Sequence, residues 1–421
     1  MITRLDPVPI PDTLPTGFRM VASRLSDPTR FGRRPADSGG AGYAFRDDAA
    51  ATGAAIGEAV ERYCGNLMPE GLLRARGRDL PDSLDLATVA LFSPAQYARP
   101  GFPFHPLDPD LELEWAPGED LRTGEKVLVP AQLVWVSAVA AAPERGLPHT
   151  NPIIQAGLAA GADRDSALRA ALYELAERDT MALAWHGRRP LRWIDPPAEL
   201  AALGRGRRGT LGTRFLEFPN ELGVTVVGAL VRDEATGYLS LGTAAGSVAG
   251  PALRKALAEA CQLQLFVADY DDPDGPYMQV AQDPRSPLKP WRADRRYRDS
   301  YRTDLADVVD YGCHLQLYLD PRMQEEFDAE LAGAVVDTVS HAELASGPEP
   351  SVRELADTVG IDRAVALDLT TSDVHPSGLR VVRVVAPGLY SNSAAGLPFL
   401  GGTRLARTLS GRARRDLPLP H

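Results

Sequence analysis

Cysteine is scarce in this 421-residue chain, and the few cysteines present are scattered. Cys64, Cys261 and Cys313 are odd in number and far apart in the sequence, so they do not provide the framework of a disulfide-stabilised protein. The sequence contains no Cys-x-x-Cys pair, and its seven histidines show no paired spacing, which excludes the common zinc motifs. We therefore expect a reducing compartment and predict a cytoplasmic protein.

Long apolar runs are also missing. No stretch approaches the roughly 18 apolar residues of a membrane-spanning helix, and the amino-terminal segment lacks the apolar region of a signal peptide. The net charge of −11 argues against nucleic acid or an anionic membrane as the main partner, because both require a positive surface. With 44% hydrophobic and 24% charged residues, the composition is otherwise typical of a globular protein.

Helical and strand patterns alternate along the chain without a regular β-α-β rhythm, which predicts a mixed α+β fold rather than a doubly wound sheet. Residues 1–20 are rich in proline and turn residues and are expected to form an extended arm rather than a packed element. The other expected elements are helices over 49–66, about 163–186 with Asp163 or Asp165 as N-cap, and about 251–268, a strand within 126–138, and a hairpin over 223–242.

An internal repeat is the most informative feature of the sequence. In two copies, Gly-Leu-Ala-Ala-Gly or Gly-Thr-Ala-Ala-Gly precedes an Ala-rich helix, and the first glycine lies 17 residues before the first glutamate in both. A looser copy occurs earlier in the chain. We expect three Gly-rich turns, each leading into a helix that presents a Glu-x-x-Glu or Glu-x-x-Gln pair. The copies are 39–42 with Glu58 and Glu61, 157–161 with Glu174 and Glu177, and 242–246 with Glu259 and Gln262.

The spacing within each pair places both side chains on one face of a helix. Two carboxylates so placed repel each other unless a cation or an arginine neutralises them, and several converging pairs would supply the oxygen ligands that Mg²⁺ prefers. Free N–H groups of the Gly turns at the helix starts, with Arg62 and Arg178, would bind phosphate oxygens. This interpretation gives a nucleotide site without a P-loop. The alternative, a solvated helix face with local ion pairs, is the commoner reading for any single helix, but the equal intervals argue against it.

Two other patterns are weaker. Residues 204–209, Gly-Arg-Gly-Arg-Arg-Gly, match a dinucleotide-binding pattern but follow a helix-like stretch instead of a strand, so we interpret them as an Arg-rich surface loop. The five arginines near the carboxyl end are interpreted as a solvated basic strip, with peptide or phosphate contact as the alternative. They are Arg404, Arg407, Arg412, Arg414 and Arg415.

Taken in order, these segments resemble the motifs of the YcaO family over about residues 22–420. Within that family, the GGAG and GEAVERYCG segments are most similar to azoline-forming cyclodehydratases of ribosomal peptide biosynthesis. The matching motifs are SGGAG (38–42), AAIGEAVERYCGN (54–66), GLAAG (157–161), ALYELAERDTMALAW (171–185), KALAEACQLQ (255–264), DLTTSDV (368–374), LRVVRVVAPGL (379–389) and LPFLGG (397–402).

The resemblance implies an α+β fold in which one large domain with mixed sheets places three Glu-bearing helices around a site for ATP and Mg²⁺. It implies a catalytic domain over 22–402, between an amino-terminal arm (1–21) and an Arg/Pro-rich tail (403–421). The implied metal ligands are Glu58, Glu61, Glu174, Glu177 and Glu259, and the nucleotide contacts add Ser38, Gly40, Arg62, Arg178 and Gln262.

The reaction implied by the resemblance is ATP-dependent cyclodehydration of Cys, Ser or Thr in a ribosomally made precursor peptide. Thioamide or macroamidine synthesis, and an inactive scaffold in a biosynthetic complex, are the alternatives. The implied partners are the precursor peptide, an E1-like or ThiF-like leader-binding protein and a second copy of the chain in a homodimer, with no nucleic acid and no membrane.

The sequence departs from the family pattern at three places. Ala54 and Ala156 stand where the family often has Ser and Asn. Many azoline-forming members end in Pro-x-Pro-x-Pro, whose terminal carboxylate is thought to reach the active site, whereas here Pro418, Pro420 and His421 close the chain. These three residues are the candidate catalytic residues of the tail. We expect the tail to stop at the mouth of the cavity, and His421 to be a frayed end rather than a base.

Overall fold

Three β-sheets and the long helices packed on them form the fold. The computed structural model describes residues 1–26, 39–344 and 346–421. The strands are β1 (Ile2–Pro7), β2 (Phe18–Leu25), β3 (Gly39–Phe45), β4 (Leu73–Arg76), β5 (Glu112–Asp120), β6 (Lys126–Pro130), β7 (Leu158–Gly161), β8 (Leu191–Asp195), β9 (Leu211–Glu217), β10 (Thr225–Asp233), β11 (Tyr238–Gly246), β12 (Val335–Ser340), β13 (Val365–Asp368) and β14 (Arg380–Val385). The helices are α1 (Asp48–Gly65), α2 (Pro94–Tyr97), α3 (Ala131–Val134), α4 (Val136–Ala141), α5 (Arg164–Trp185), α6 (Ala198–Leu203), α7 (Ala249–Asp271), α8 (Pro276–Val280), α9 (Tyr311–Leu317), α10 (Pro321–Ala334), α11 (Val352–Val359) and α12 (Arg404–Leu409).

The sheets differ in size and are mostly antiparallel. The first has the order β1-β2-β3, the second β11-β10-β9-β8-β12, and the third β4-β5-β13-β14-β7, with β6 paired to β5. Strand β12 runs parallel to β8. This mixture of sheets confirms the predicted α+β class. None of the helices within the described part of the chain is long and apolar enough to cross a membrane.

The three long helices lie where the sequence predicts them. Helix α5 begins after Asp163, whose carboxylate accepts a hydrogen bond of 2.7 Å from the Ser166 N–H and so forms the expected N-cap. Helix α7 extends two to three residues beyond each predicted end. Strands β10 and β11 form the predicted hairpin. The Arg-rich segment 204–209 connects α6 to β9, which confirms that it is a loop and not a dinucleotide-binding turn.

One predicted element is wrong, and another is shorter than predicted. Residues 1–20 are not an unpacked arm, since β1 pairs with β2 and β2 pairs with β3. Leu14 and Phe18 are buried against the second sheet; Pro7 is the last residue of β1, and the other prolines lie between the strands. The predicted strand over 126–138 ends at Pro130, after which the chain turns into α3 and α4. Proline lacks the N–H that a continuing ladder needs, which explains the early end.

Helix α5 is the central helix of the fold. It packs on β7 and β14 of the third sheet, on β10 and β11 of the second, and on α11. Residues on nearly every side of it are buried, among them Leu172 and Trp185. A helix surrounded on all sides has fixed side-chain positions, so the charged residues on α5 are held in place by the core.

Candidate nucleotide site

Each sheet has an edge strand that is followed along the chain by one of the three Glu-bearing helices. Strand β3 leads to α1, β7 to α5 and β11 to α7, and each helix runs back along its own strand. Glycine allows this close packing. A Cβ on Gly42 would overlap backbone atoms of Ala51 and Ala55, and one on Gly242 would overlap those of Ala256. The Gly- and Ala-rich repeat therefore encodes a strand packed tightly on a helix.

The prediction that the Gly-rich segments are turns with free N–H groups at the helix starts is wrong. They are strands, and the helices begin several residues later. In each unit, the first glutamate of the pair accepts a hydrogen bond from a backbone N–H of its own edge strand or, for Glu174, of the residue just before that strand. These bonds join Ala41 N to Glu58 Oε2 (2.8 Å), Gly157 N to Glu174 Oε2 (3.1 Å) and Thr243 N to Glu259 Oε2 (2.6 Å). The repeated interval fixes the first carboxylate of each pair to the strand.

The second side chain of the pair reaches toward the next unit. Glu177 Oε1 accepts a hydrogen bond of 2.6 Å from the Thr243 hydroxyl on β11, and the Ala160 backbone on β7 partly offsets the rise in the pKa of Glu61. Helix α1 packs on β7, α5 on β11 and α7 on β3, so the three units close into a ring. Gln262 holds the equivalent position on α7.

The ring encloses a cavity of about 1010 Å³. Every described carboxylate, arginine and glutamine that the sequence nominates for cofactor binding lines it, so the structure brings these side chains together. The predicted residues at its wall are Glu58, Glu61, Arg62, Glu174, Glu177, Arg178, Glu259 and Gln262. Ser38 lies outside the described residues. Gly40 is not part of the wall, whereas its neighbours Ala41 and Gly42 are.

The carboxylates in the cavity lie close to one another in surroundings that disfavour charge. Burial raises the pKa of Glu61 to about 8, with Glu174 and Glu58 adding repulsion against the opposing effect of Arg62. Burial raises the pKa of Glu174 and of Glu259 as well, and Glu177 adds to both shifts. Such carboxylates gain most from a bound cation, because it favours the ionised form that burial penalises.

The two arginines form ion pairs with the carboxylates. Arg62 Nη2 lies 3.1 Å from Glu58 Oε1, and Arg178 Nη1 lies 3.2 Å from Glu177 Oε1. Burial lowers the pKa of Arg178, but Glu177 and the other carboxylates outweigh it and raise the pKa above its ordinary value. Both guanidinium groups therefore remain charged. Within the described residues, no group of three or more His, Cys, Asp or Glu side chains is already arranged around a common metal position.

The residues fit Mg²⁺ and a polyphosphate together better than a metal alone. Their donors are carboxylate oxygens, which suit a hard cation that shares its coordination with water and phosphate. The side-chain Nε of Arg178 is buried and has no hydrogen-bond acceptor within the described residues, so the cavity wall retains an unused donor.

The sequence analysis did not identify three further polar residues at this wall, namely Tyr43, Thr243 and Lys255. Thr243 lies inside the Gly-rich segment 242–246 of the third unit, and its hydroxyl could have been noticed there.

The carboxyl-terminal tail is buried, contrary to the expectation that it ends frayed at the cavity mouth. The Trp185 indole N–H donates to Leu417 O (2.6 Å), and the Tyr318 hydroxyl donates to Pro418 O (2.6 Å). The Leu241 N–H donates to Pro420 O (2.7 Å), which places the tail beside β11. The tail is therefore held by the core on three sides.

The last residue, His421, reaches the cavity wall. Its Nε2 accepts a hydrogen bond from Arg178 Nη1. Burial and the charge of Arg178 lower the pKa of His421 to about 3, so its imidazole is neutral. The frayed-end interpretation of His421 is wrong, because a buried hydrogen-bonded ring replaces the solvated end that the sequence suggested.

The basic strip is likewise only partly solvated. Arg404 pairs with the buried Asp179 and with Glu221, and Arg415 pairs with Glu330 and lies over the ring of Trp185. These pairs anchor the start of the tail. A run of arginines near a chain end gave no sign of this, because the acidic partners come from distant segments.

The chain matches the family model described as YcaO cyclodehydratase, ATP- and Mg²⁺-binding, over residues 41–390. No curated protein matches it. A YcaO structure from Methanopyrus kandleri bound with AMPPCP and Mg²⁺ is similar, with 20% identity, a TM-score of 0.61, and coverage of 92% of this chain and 86% of that one.

Two further structures share the fold. A heterocyclase in complex with substrate and cofactor has 20% identity and a TM-score of 0.63, covering 93% of this chain, which spans half the length (50%) of that protein. The Escherichia coli microcin synthetase McbBCD complex with pro-MccB17 bound has 13% identity and a TM-score of 0.56, with coverage of 98% and 96%. The family match confirms the predicted cofactors, ATP and Mg²⁺. The chain belongs to the YcaO family of ATP- and Mg²⁺-binding cyclodehydratases.

Proposed function

We propose that this chain forms azoline rings from Cys, Ser or Thr residues of a ribosomally made precursor peptide. The observation that carries the proposal is the ring of three strand–helix units, which brings five carboxylates and two arginines to one cavity beside the end of the tail. A cavity of about 1010 Å³ has room for a nucleotide with its metal. We assign Glu58, Glu61, Glu174, Glu177 and Glu259 to Mg²⁺, and Arg62, Arg178 and Gln262 to the nucleotide.

The chemical difficulty of the reaction is that an amide oxygen is a poor leaving group. When bound, ATP would supply the phosphoryl group that converts this oxygen into phosphate. The peptide's thiol or hydroxyl adds to the preceding carbonyl carbon, and the ring closes to C=N as the oxygen leaves. The peptide loses one water overall: its oxygen ends in phosphate, and its two hydrogens come from the side chain and the amide.

The residues of this chain would act on charge and position. Arg62 and Arg178 are fixed donors in a buried site, so they can stabilise negative charge that builds up on oxygen without first reorganising. The carboxylates keep both guanidinium groups oriented. Pro418 and Pro420 stiffen the tail, and their own carbonyls accept hydrogen bonds from the core, so His421 is held against Arg178. We assign Pro418 and Pro420 a positioning role and His421 a contact with the reacting peptide.

We further propose that the chain works with a separate leader-binding protein of the E1-like or ThiF-like kind, and as a homodimer. The McbBCD structure that shares its fold is a complex with a bound precursor, which supports such an assembly. Fluorescence polarisation with a labelled precursor peptide tests the first point. We expect weak binding by this chain alone, and tight binding of the leader by the isolated chain would contradict it.

Co-expression with each short reading frame that neighbours its gene, followed by mass spectrometry, tests the reaction. We expect the loss of one water for each modified Cys, Ser or Thr, with the ring reopened by mild acid. Exchange of oxygen for sulfur would indicate a thioamide. Loss of water that joins the peptide's own amino group to one of its amide carbons would indicate a macroamidine. No change with any peptide, despite binding of ATP and Mg²⁺, would indicate a scaffold.

A further inference from the structure

Arg178 separates the nucleotide cavity from a second, much smaller one. The smaller cavity measures about 50 Å³ and shares no other lining residue with the nucleotide cavity. The tail residues Pro418 and His421 form one side of it, and the loop containing Ser391 and Ser393 forms another. This volume corresponds to one or two water molecules, and thus to a side chain as small as that of Cys, Ser or Thr.

Apart from Arg178, no side chain that lines this small pocket carries a charge. His186 donates from Nδ1 to the Arg415 carbonyl, and His314 accepts at Nε2 from the Ala395 N–H, so both rings are held by backbone. Burial lowers the pKa of both imidazoles, which keeps them neutral. No Asp or Glu side chain lines the pocket. It therefore suits a neutral thiol, hydroxyl or amide, in contrast to the acidic nucleotide cavity.

The pocket also contains an unused hydrogen-bond donor. Because Arg178 can only donate, His421 Nε2 accepts, and the neutral ring carries its proton on Nδ1. This Nδ1 is buried and has no hydrogen-bond partner within the described residues. A buried donor without an acceptor is costly, and a peptide carbonyl oxygen entering the pocket would satisfy it.

A wider groove adjoins the pocket. It measures about 590 Å³, and Ala395 belongs to the walls of both. Arg99, Arg298 and Arg414 lie along the groove with Asp304 and other acidic residues, and the side chain of Arg99 is exposed there. A groove of this size with alternating charges fits several residues of extended peptide.

We propose that the small pocket receives the reacting Cys, Ser or Thr side chain, and that the flanking peptide lies in the groove beyond Ala395. The proposal rests on the proposed function and specifies how its substrate reaches Arg178. The peptide and the nucleotide then enter through different cavities and meet at one guanidinium group. The size of the pocket explains why only small nucleophilic side chains would react.

Disulfide trapping tests the path directly, since the three native cysteines are buried and give little background. The probe is a synthetic ten-residue Ser- and Gly-rich peptide whose single Cys is activated as a thionitrobenzoate mixed disulfide. It is offered, with Mg²⁺ and a non-hydrolysable ATP analogue, to three variants that each add one Cys. These are Ala395→Cys at the junction of pocket and groove, Ala54→Cys at the nucleotide cavity, and Ala332→Cys on α10 in an unrelated surface cavity.

Rates are divided by those of a small activated disulfide, which corrects for accessibility. We expect the peptide to label Ala395→Cys about tenfold faster than either other variant, a difference of about 1.4 kcal/mol. Equal corrected rates at all three sites, or faster labelling of Ala54→Cys or Ala332→Cys, would overturn the proposed path.

A blocking variant gives a second readout. Ala395→Phe fills the junction, so we expect at least a tenfold loss of peptide modification, about 1.4 kcal/mol, with unchanged binding of a fluorescent ATP analogue. Ala332→Phe is the matched control and should change neither. Normal modification by Ala395→Phe would contradict the path alone, whereas failure of the wild-type protein to bind MgATP would contradict the proposed function.

Discussion

The third strand–helix unit has the architecture of the first two but a different charge pattern. Helices α1 and α5 each carry Glu-x-x-Glu-Arg, whereas α7 carries Glu-x-x-Gln-Leu. The three five-residue motifs have the same formal charge of −1, because the missing arginine on α7 offsets the missing carboxylate. The first glutamate, bound to its own edge strand, is the feature that all three keep.

The comparison shows what the ring requires. Each unit must anchor one carboxylate on a backbone N–H, and each five-residue motif keeps an excess of one negative charge, while the second position of the pair varies. In α5 this second position, Glu177, is hydrogen-bonded to Thr243 on β11 of the next unit. Charge balance and strand anchoring can therefore be tested separately.

Removal of Mg²⁺ should have the largest effect. Five carboxylates face two arginines and Lys255 in the cavity, so the carboxylates are in excess and the cavity repels a free polyphosphate. We expect EDTA to weaken binding of a fluorescent ATP analogue about 1000-fold, since like charges about 4 Å apart cost several kcal/mol at a protein surface. Equal affinity in EDTA and in Mg²⁺ would show that the carboxylates do not hold a metal.

Breaking the strand–helix contact should be nearly as costly. Gly42→Ala in the first unit and Gly242→Ala in the third would push a methyl group into helix backbone, so we expect each to lower the free energy of unfolding by about 3 kcal/mol in urea titrations. Gly53→Ala is the control at an exposed position of α1, where a Cβ meets nothing within 4 Å. It should raise the free energy of unfolding by up to about 1 kcal/mol. If Gly42→Ala matched the wild type, the close packing of the repeat would be incorrect.

Acid should weaken metal-nucleotide binding. The pKa of Glu61 is about 8 without the metal, and Mg²⁺ favours the ionised form, so binding releases a proton below that pH. The affinity for MgATP should rise at least about 50-fold from pH 6 to pH 8, because Glu61 loses a proton at a pKa of about 8 and Glu259, with its pKa raised to about 7, adds to the rise. Calorimetry in buffers of different ionisation enthalpy measures the released protons, and Glu61→Gln should make the profile shallower.

Changing the third unit alone should have a smaller effect. Gln262→Glu adds a carboxylate without an arginine, so we expect about tenfold weaker nucleotide binding at fixed Mg²⁺. Adding Leu263→Arg restores the pattern of the other two units and should recover most of the affinity. If the double variant bound the nucleotide no better than Gln262→Glu, charge balance within each motif would not determine the affinity. Melting temperatures of both variants would show whether the change at Leu263 disturbs packing.

The sequence predicts the helices and the charged residues of the site because both are local patterns. Helix periodicity, N-caps and the Glu-x-x-Glu spacing lie within α1, α5 and α7 themselves. The Gly-rich segments of the repeat look like turns in the sequence although they form strands, because Gly and Ala have low strand propensity. Their place in the sheets depends on partners far along the chain, as β7 depends on β14.

The tail shows the same limit. Its prolines suggest a stiff end, but the bonds that bury it come from Trp185, Tyr318 and Leu241, which no local pattern connects to residues 417–421. Charge pairing across the fold is equally invisible in sequence, as with Arg404 and Asp179. Nonlocal contacts therefore decide which charged residues are solvated and which are structural.

The central claim, that three units build one MgATP site, is tested most directly by one anchored glutamate from each unit. Glu58→Gln, Glu174→Gln and Glu259→Gln are titrated with a fluorescent ATP analogue in Mg²⁺, beside Glu234→Gln on the exposed hairpin turn as control. Each of the three should lose at least about 30-fold in affinity without a lower melting temperature, because removing a carboxylate from a like-charged cluster relieves repulsion. Wild-type affinity in any one of the three would contradict a single shared site.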